Sequence, residues 1–333
     1  MRKPHGGRYF IMSDFDLASG KPLFVVDSHC DSIQKVDKGK HGIVNPYNYS
    51  RRVPQLQFVA LFCCWPGENA EDSYKRAVPY FGHFKIEMET EADRVVQVRT
   101  YDDIERAFAA GKHAALLTME GGTGLKGSPK ILGDFYAAGV RVCGLAWAHN
   151  DLAKSNRIKE DEEDTGLSDV GRAIVEEGNR LGMIFDVSHL SDKSFWDLAA
   201  IAKKPIIASH SNFRSVCGHS RNLTDDMARE IARQDGMIGL NLCTGFVHPE
   251  REQQTVENYF AHLDYCLGLI GEDHIGFGGD VDGVDGVYPA PLTTADSIHD
   301  QLIEFMLRHN YSEDLVRKVA GGNYLNFLKK YLG

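Results

Sequence analysis

Short runs of apolar residues alternate with amphipathic segments along the whole chain. The apolar runs are rich in β-branched and aromatic residues without a regular polar face, which is typical of strands buried in a parallel sheet. Eight strands are predicted, at 24–29, 56–63, 114–119, 140–147, 183–188, 205–209, 236–242 and 274–279. The amphipathic segments predict helices at 70–93, 101–111, 130–138, 168–181, 191–202, 224–234, 255–270, 295–309 and 313–320.

Eight strand–helix units favour an α/β fold closed as an eight-stranded parallel (β/α) barrel of the TIM type over an open doubly wound sheet. The helix limits carry local signals, such as Ser168 before one helix and Gly182 after it. We expect residues 1–333 to form a single barrel domain, with 1–20 as an N-terminal extension. The charged, aperiodic segment 154–166 predicts a loop over the barrel mouth; an ordinary solvated surface loop is the alternative.

Composition and charge exclude several classes of partner. The chain has 333 residues, of which 43% are hydrophobic and 25% charged, and its net charge is −10. With no block of Lys or Arg, neither nucleic acid nor an anionic membrane surface is expected to bind. No apolar run approaches the roughly 18 residues of a membrane-spanning helix, and no apolar segment near the N-terminus predicts a signal peptide. The seven scattered cysteines predict reduced core thiols and a cytoplasmic location.

Potential metal ligands and acid–base residues follow the apolar runs at six of the eight predicted strands. In a barrel of this kind the active site lies where the strands end. One such residue could be a turn or capping residue, but seven of them are difficult to explain in that way. The seven are His29, Asp31, Glu120, His149, His189, His210 and Asp280.

The residue types indicate which metal is expected. Imidazoles combined with carboxylates suit zinc, or manganese, iron and cobalt, better than calcium or magnesium. The set is too large for one catalytic ion with an open position, and it suits two ions about 3.5–4 Å apart, bridged by a carboxylate and a hydroxide. Glu120 is the natural bridge, because it rises from a different strand than the ligand pairs on either side.

Several segments, taken together, resemble the membrane dipeptidases, also called renal dipeptidases, and their bacterial zinc-dipeptidase relatives. The matching segments occur in the family's order across nearly the whole chain. They are "DSHCD" (27–31), "MEGG" (119–122), "GLSDVGRAIVEEGNRLGMIFDVSHLSD" (166–192), "SHSNFRSVCGHSRNLTDD" (209–226), "GFGGDVDGV" (276–284) and "GGNYLNF" (321–327).

The resemblance implies a barrel of the metal-dependent hydrolase superfamily with a two-zinc centre. Carried over by position, His29 and Asp31 would hold one zinc ion. His189 and His210 would hold the other, and Glu120 would bridge the two.

Three further roles follow from the same resemblance. His149 matches the histidine that contacts the scissile carbonyl or its oxyanion, and Arg221 matches the arginine that binds the substrate carboxylate. Asp280 matches the acid–base residue. The mammalian members carry signal and lipid-anchor segments that this sequence lacks, and Cys243 stands where those enzymes are expected to have an aromatic substrate contact.

The expected function is therefore that of a zinc-dependent dipeptidase, a metallopeptidase that cleaves dipeptides with a free C-terminal carboxylate through a hydroxide bridging the two ions. One alternative is a related metal-dependent barrel amidohydrolase or lactonase, although those enzymes usually open with His-x-His where this chain has His29 and Asp31. Another is a non-hydrolytic, peptide-tailoring paralogue. A dipeptide is the expected partner, and the sequence leaves a homodimer open.

Overall fold

The barrel is built from parallel strands in a computed structural model that describes residues 15, 17, 20–45, 47–65, 67–148, 150–159, 161–284 and 286–333. Most of the predicted N-terminal extension lies outside these residues. The strands are β1 (Val25–Cys30), β2 (Gln55–Phe62), β3 (Val95–Val98), β4 (His113–Glu120), β5 (Val142–Gly144), β6 (Ile184–Asp186), β7 (Ile207–Ala208), β8 (Met237–Leu240) and β9 (Ile275–Phe277).

Eight of these strands close into the predicted barrel. Neighbours along the chain pair in parallel from β4 to β9, and β9 pairs with β1. The barrel closes because β2 pairs with β1 on one side and with β4 on the other, in register from Leu56 opposite Ala114 to Phe62 opposite Glu120. The ninth strand, β3, was not predicted; it lies outside the ring and pairs with the first half of β4.

Helices connect the strands, and the predicted helix signals act as expected. The Ser168 hydroxyl accepts the Gly171 N–H at the start of its helix, and Gly182 ends that helix with a φ of 81°. The π-helical turn Lys318–Gly322 joins the last two helices. The α-helices are α1 (Ser32–Asp37), α2 (Ala70–Thr90), α3 (Tyr101–Ala109), α4 (Pro129–Ala138), α5 (Asp169–Leu181), α6 (Asp192–Ile201), α7 (Asp225–Arg233), α8 (Thr244–Val247), α9 (Val256–Ile270), α10 (Ile298–Arg308), α11 (Glu313–Arg317) and α12 (Asn323–Tyr331).

Helix α12 closes the end of the barrel where the strands begin. Its Tyr324, Phe327 and Leu328 belong to a buried apolar cluster with residues from seven barrel strands. The strand residues lie at or near the start of their strands: Val26, Leu56, Phe58, Ala114, Leu116, Val142, Ile184, Ile207 and Met237. The N-terminal end of the barrel is thus filled by packing, which leaves the C-terminal end for polar chemistry.

Within the part of the chain that the structure describes, no helix has both the length and the apolar character needed to cross a lipid bilayer.

Candidate active site

The C-terminal ends of four barrel strands bring the predicted metal ligands together. His29 lies in β1 and Asp31 directly follows it, while Glu120 is the last residue of β4. His189 and His210 follow β6 and β7. All five side chains are buried. Asp280, after β9, joins them: its carboxylate and the rings of His29 and His210 offer nitrogen and oxygen atoms within 4.8 Å of one another.

Glu120 lies between two pairs of ligands. Its Oε1 atom is 2.8 Å from Nε2 of His189 and 3.5 Å from Nε2 of His210. Its Oε2 atom is 3.5 Å from Nε2 of His29, which in turn is 3.3 Å from Oδ2 of Asp31. One carboxylate oxygen therefore faces each pair, which is the arrangement a bridging carboxylate needs.

The electrostatics of this cluster call for a bound cation. Burial, and after it the charge of Asp31, raises the pKa of Glu120 to about 7. Burial also raises the pKa of Asp280. Burial alone would lower the pKa of His29, yet the carboxylates of Glu120 and Asp31 raise it above the usual value. Buried carboxylates that repel one another are stabilised by a metal ion.

The other two imidazoles are held in the neutral form that binds metal. Burial lowers the pKa of His189 well below its usual value, and the charges of Arg221, His29 and Arg157 add to the effect. Burial likewise lowers the pKa of His210. Nδ1 of His189 is buried without a hydrogen-bond partner among the described residues. This set of neutral imidazoles and carboxylates fits divalent metals such as zinc, manganese or iron.

A hydrogen-bonded chain fixes the proton on His210. The Ser209 hydroxyl donates to Oδ2 of Asp186 at 2.5 Å and lies 2.7 Å from Nδ1 of His210. A hydroxyl has one hydrogen, so with that hydrogen given to Asp186 it must accept from Nδ1–H of the ring. The lone pair of His210 is then on Nε2, the atom that faces Glu120.

Arg221 lies beside the histidine pair. Its guanidinium is buried, donates to Oγ of Ser211 at 3.1 Å and to the His210 carbonyl at 3.2 Å, and lies 3.0 Å from Nε2 of His189. Its Nε is buried without a hydrogen-bond partner among the described residues. The predicted carboxylate-binding residue therefore lies next to the predicted metal ligands, and its Nε–H group can still donate a hydrogen bond.

The remaining predicted residues are placed as follows. Oδ1 of Asp280 is 4.0 Å from Nε2 of His29, and its Oδ2 accepts the Asn241 amide N–H at 3.1 Å. His149 lies outside the described residues, so its role stays a prediction. Cys243 lines the same cavity as Asp280 and Arg221.

The ligand cluster opens into a cavity of about 520 Å³. Its wall includes residues that the sequence analysis did not select, among them Phe62, Trp65 and Trp147. Asn156 and Arg157, from the charged segment 154–166, also line it. An apolar aromatic run such as "FCCW" reads as core, and only the fold shows that it borders a cavity.

Comparison with known proteins identifies the family. Residues 21–331 match the model of the family described as "Membrane dipeptidase (Peptidase family M19)". The chain belongs to the membrane dipeptidase family. It thereby falls in a class of metal-dependent hydrolases, and the resemblance found in the sequence is confirmed.

Individual members of the membrane dipeptidase family match over different lengths. The chain is 33% identical over 245 residues to dipeptidase tcpJ of Claviceps purpurea, an alignment that covers 73% of this chain but only 57% of tcpJ. A structure titled as the dipeptidase AC, a family M19 metallopeptidase, superposes with a TM-score of 0.82 and 26% identity, covering 94% of this chain and all of that one. A Rhodobacter sphaeroides metallopeptidase, solved with a phosphinate mimic of L-Ala-D-Ala, superposes with a TM-score of 0.82 and 25% identity. The superposition covers 93% of this chain and 99% of that one.

Proposed function

We propose that this protein is a zinc-dependent dipeptidase that cleaves dipeptides with a free C-terminal carboxylate. The observation that carries the proposal is the Glu120 carboxylate, set between two ligand pairs with the Arg221 guanidinium against one of them. The names of related proteins support the same substrate class, since the fungal relative is named a dipeptidase and the Rhodobacter enzyme was solved with a dipeptide mimic.

The site would hold two zinc ions. His29 and Asp31 would bind one, His189 and His210 the other, and Glu120 would bridge them. The support is the division of the Glu120 oxygens between the two pairs and the presence of more ligands than one ion with an open position requires. When bound, such ions acidify a water molecule and polarise a carbonyl group.

The protein's own groups would position the dipeptide and move protons. Arg221 offers a planar fork for the C-terminal carboxylate, and its buried, unsatisfied Nε favours an incoming acceptor. The Asn241 amide holds one oxygen of Asp280 and leaves the other facing His29. The raised pKa of Asp280 makes it a better proton acceptor near neutral pH, so it would take a proton from water and give it to the leaving amine.

Two features remain proposals without geometry of their own. The oxyanion contact of His149 rests on the family resemblance. The cytoplasmic location is supported by the seven cysteines, all described and all free thiols, six of them buried.

The test compares dipeptides with their C-terminal amides on zinc-loaded protein, using L-Ala-L-Ala and L-Ala-D-Ala. We expect the free acids to be cleaved and the amides to be poor substrates. Arg221→Met should raise KM for the acids at least about tenfold, the worth of a charged hydrogen bond, and change amide turnover little. Arg229→Met is the matched control, since the exposed Arg229 pairs with the exposed Asp226. Equal turnover of acids and amides would contradict the role of Arg221, and cleavage of no dipeptide would contradict the function.

A further inference from the structure

One wall of the cavity is aromatic and carries a guanidinium group. The Trp147 ring lies 5.9 Å from the His189 ring, centroid to centroid, and the Arg157 guanidinium lies 3.9 Å from the Trp147 centroid. Phe62 and Trp65 extend the wall, with ring centroids 5.2 and 6.2 Å from Trp147. The wall therefore extends from the ligand cluster, along apolar aromatic rings, to the Arg157 guanidinium.

The Arg157 charge is available to a ligand. The side chain is exposed, and its guanidinium makes no hydrogen bond or ion pair with any residue that the structure describes. Its backbone is nonetheless held in place, because the N–H of neighbouring Asn156 donates to the His189 carbonyl at 2.9 Å and Ser155 forms a β-bridge with Leu190. The segment that carries Arg157 is thus fixed to the loop that carries a predicted metal ligand.

The outer part of the cavity is more positive than the protein as a whole. Apart from the ligand cluster and Arg221, its described charged lining residues are Lys35, Lys38, Arg157 and Asp282. Lys35 is buried and has an interaction of its own, which leaves the exposed Lys38 and Arg157 as the cations that face a ligand. The Asp282 carboxylate already accepts hydrogen bonds, at 2.6 Å from the Ser32 hydroxyl and at 2.7 Å from the Tyr47 hydroxyl. In a chain of net charge −10, this local excess of positive charge favours an anionic group on the substrate.

We propose that Trp147 and Arg157 form a side-chain subsite that selects dipeptides with an acidic side chain. The methylene groups of a glutamyl residue would lie on the Trp147 ring, and its carboxylate would meet the Arg157 guanidinium. Arg221 would bind the main-chain carboxylate, so the substrate would carry two carboxylates, each with its own arginine. The inference rests on the proposed dipeptidase function and adds the substrate class.

The test measures kcat/KM for Glu-Ala, Gln-Ala, Ala-Glu and Ala-Gln on zinc-loaded protein, since Glu and Gln differ in charge but little in shape. The native protein should prefer Glu over Gln by about fivefold in one of the two positions, the upper range for a charge contact at an exposed site. Arg157→Gln should bring that ratio close to one, and Arg157→Glu should invert it. Lys159→Gln, which removes an exposed charge from the same loop outside the cavity lining, should leave the ratio unchanged.

Three results would overturn the subsite. One is a Glu-to-Gln ratio near one in the native protein. Another is a ratio that Arg157→Gln does not alter. The third is an equal change in Lys159→Gln, which would assign the preference to the general charge of the loop. In all three cases dipeptides are still cleaved. If the proposed function itself is wrong, no dipeptide is cleaved, and the subsite proposal is then wrong as well.

Discussion

The Ser209 hydroxyl lies between the buried Asp186 carboxylate and the ring of His210, a predicted metal ligand. Because it has one hydrogen, it can form hydrogen bonds with both in only one way. It gives its hydrogen to Asp186 and accepts from the His210 ring. Asp186 is itself anchored, because its Oδ1 accepts the backbone N–H groups of Ser188 and Ser209. The proton on His210 is therefore placed by Ser209 and Asp186, neither of which is itself a predicted metal ligand.

Ser209→Ala should lower the affinity for zinc about tenfold or more, the usual effect of removing a group that orients a ligand. Without the hydroxyl, Nδ1 of His210 loses its acceptor and the ring its fixed tautomer. Competition with a chromogenic chelator measures the affinity directly. Ser188→Ala is the control, since the Ser188 hydroxyl accepts the His210 backbone N–H but not the ring proton. Equal losses in both variants would show that the hydroxyl acts only through packing.

Asp280 adopts a backbone conformation that few residues other than glycine use, with a φ of 52°. The neighbouring backbone accommodates its carboxylate because Gly283 has no side chain: a Cβ there would overlap Oδ1 of Asp280. The absence of a side chain at residue 283 therefore leaves the room that the Asp280 carboxylate occupies.

Asp280→Asn separates a proton-transfer role from a metal-binding role. If Asp280 moves the proton, the variant should keep two metal ions per chain and lose about 10²–10⁴ in kcat, the usual worth of general acid–base catalysis. Metal content and kcat should be measured on the same preparation. Loss of one ion, with partial rescue by added metal, would assign Asp280 to the ligand set with His29 and His210. Full metal content with near-normal kcat would contradict both roles.

At the scale of elements, α9 is tied to the loops near the site by a buried histidine. Nδ1 of His262 accepts the Phe213 N–H at 3.2 Å, and its Nε2 donates to the Val247 carbonyl at 3.1 Å. Burial lowers the pKa of His262 to about 4. The unfolded chain takes up a proton near pH 6.5 and the folded chain only near pH 4, so protonation favours unfolding between these values.

This histidine should make the fold acid-sensitive. Relative to His262→Gln, the native protein should lose up to about 3 kcal/mol of unfolding free energy between pH 7.5 and 4. Urea unfolding at four pH values, with a chelator present throughout, removes the contribution of metal release. The exposed His309, replaced by Gln, provides the control. A constant stability difference between the native protein and His262→Gln at all pH values would show that His262 does not titrate as described.

Elements that the sequence analysis missed have specific physical causes. The last predicted helix, 313–320, stopped before Gly321 and Gly322, yet the chain runs through a π-helical turn into α12. Gly321 is needed for contact: a Cβ there would lie 2.7 Å from the Phe24 carbonyl oxygen of the strand segment it packs against. Strand β3 is only four residues long, too short for a clear pattern, and it lies in the gap left between the predicted helices 70–93 and 101–111.

For the whole molecule, the alternation of strands and helices was sufficient to predict the barrel, and the strand ends were sufficient to indicate where its polar side chains meet. Contacts between residues remote in sequence were not predictable. Asp186 and Ser209 are 23 residues apart, and Trp147 and Arg157 come from a loop without periodicity. The Asp186–Ser209 contact depends on the register between β6 and β7, and the Trp147–Arg157 contact depends on the loop path over the barrel mouth. A hydrophobic pattern specifies neither.

A closed barrel has no free strand edge, but β3 adds one outside the ring, since it pairs only with β4 among the described strands. An unpaired edge can recruit the same strand of another molecule and start aggregation. Here the edge is short, and the arginines near it are already bonded to main-chain carbonyls: Arg99 to Ala138 at 3.1 Å and Arg141 to Arg99 at 3.0 Å. Edge-to-edge pairing of two copies would first have to displace these contacts and bring like charges together.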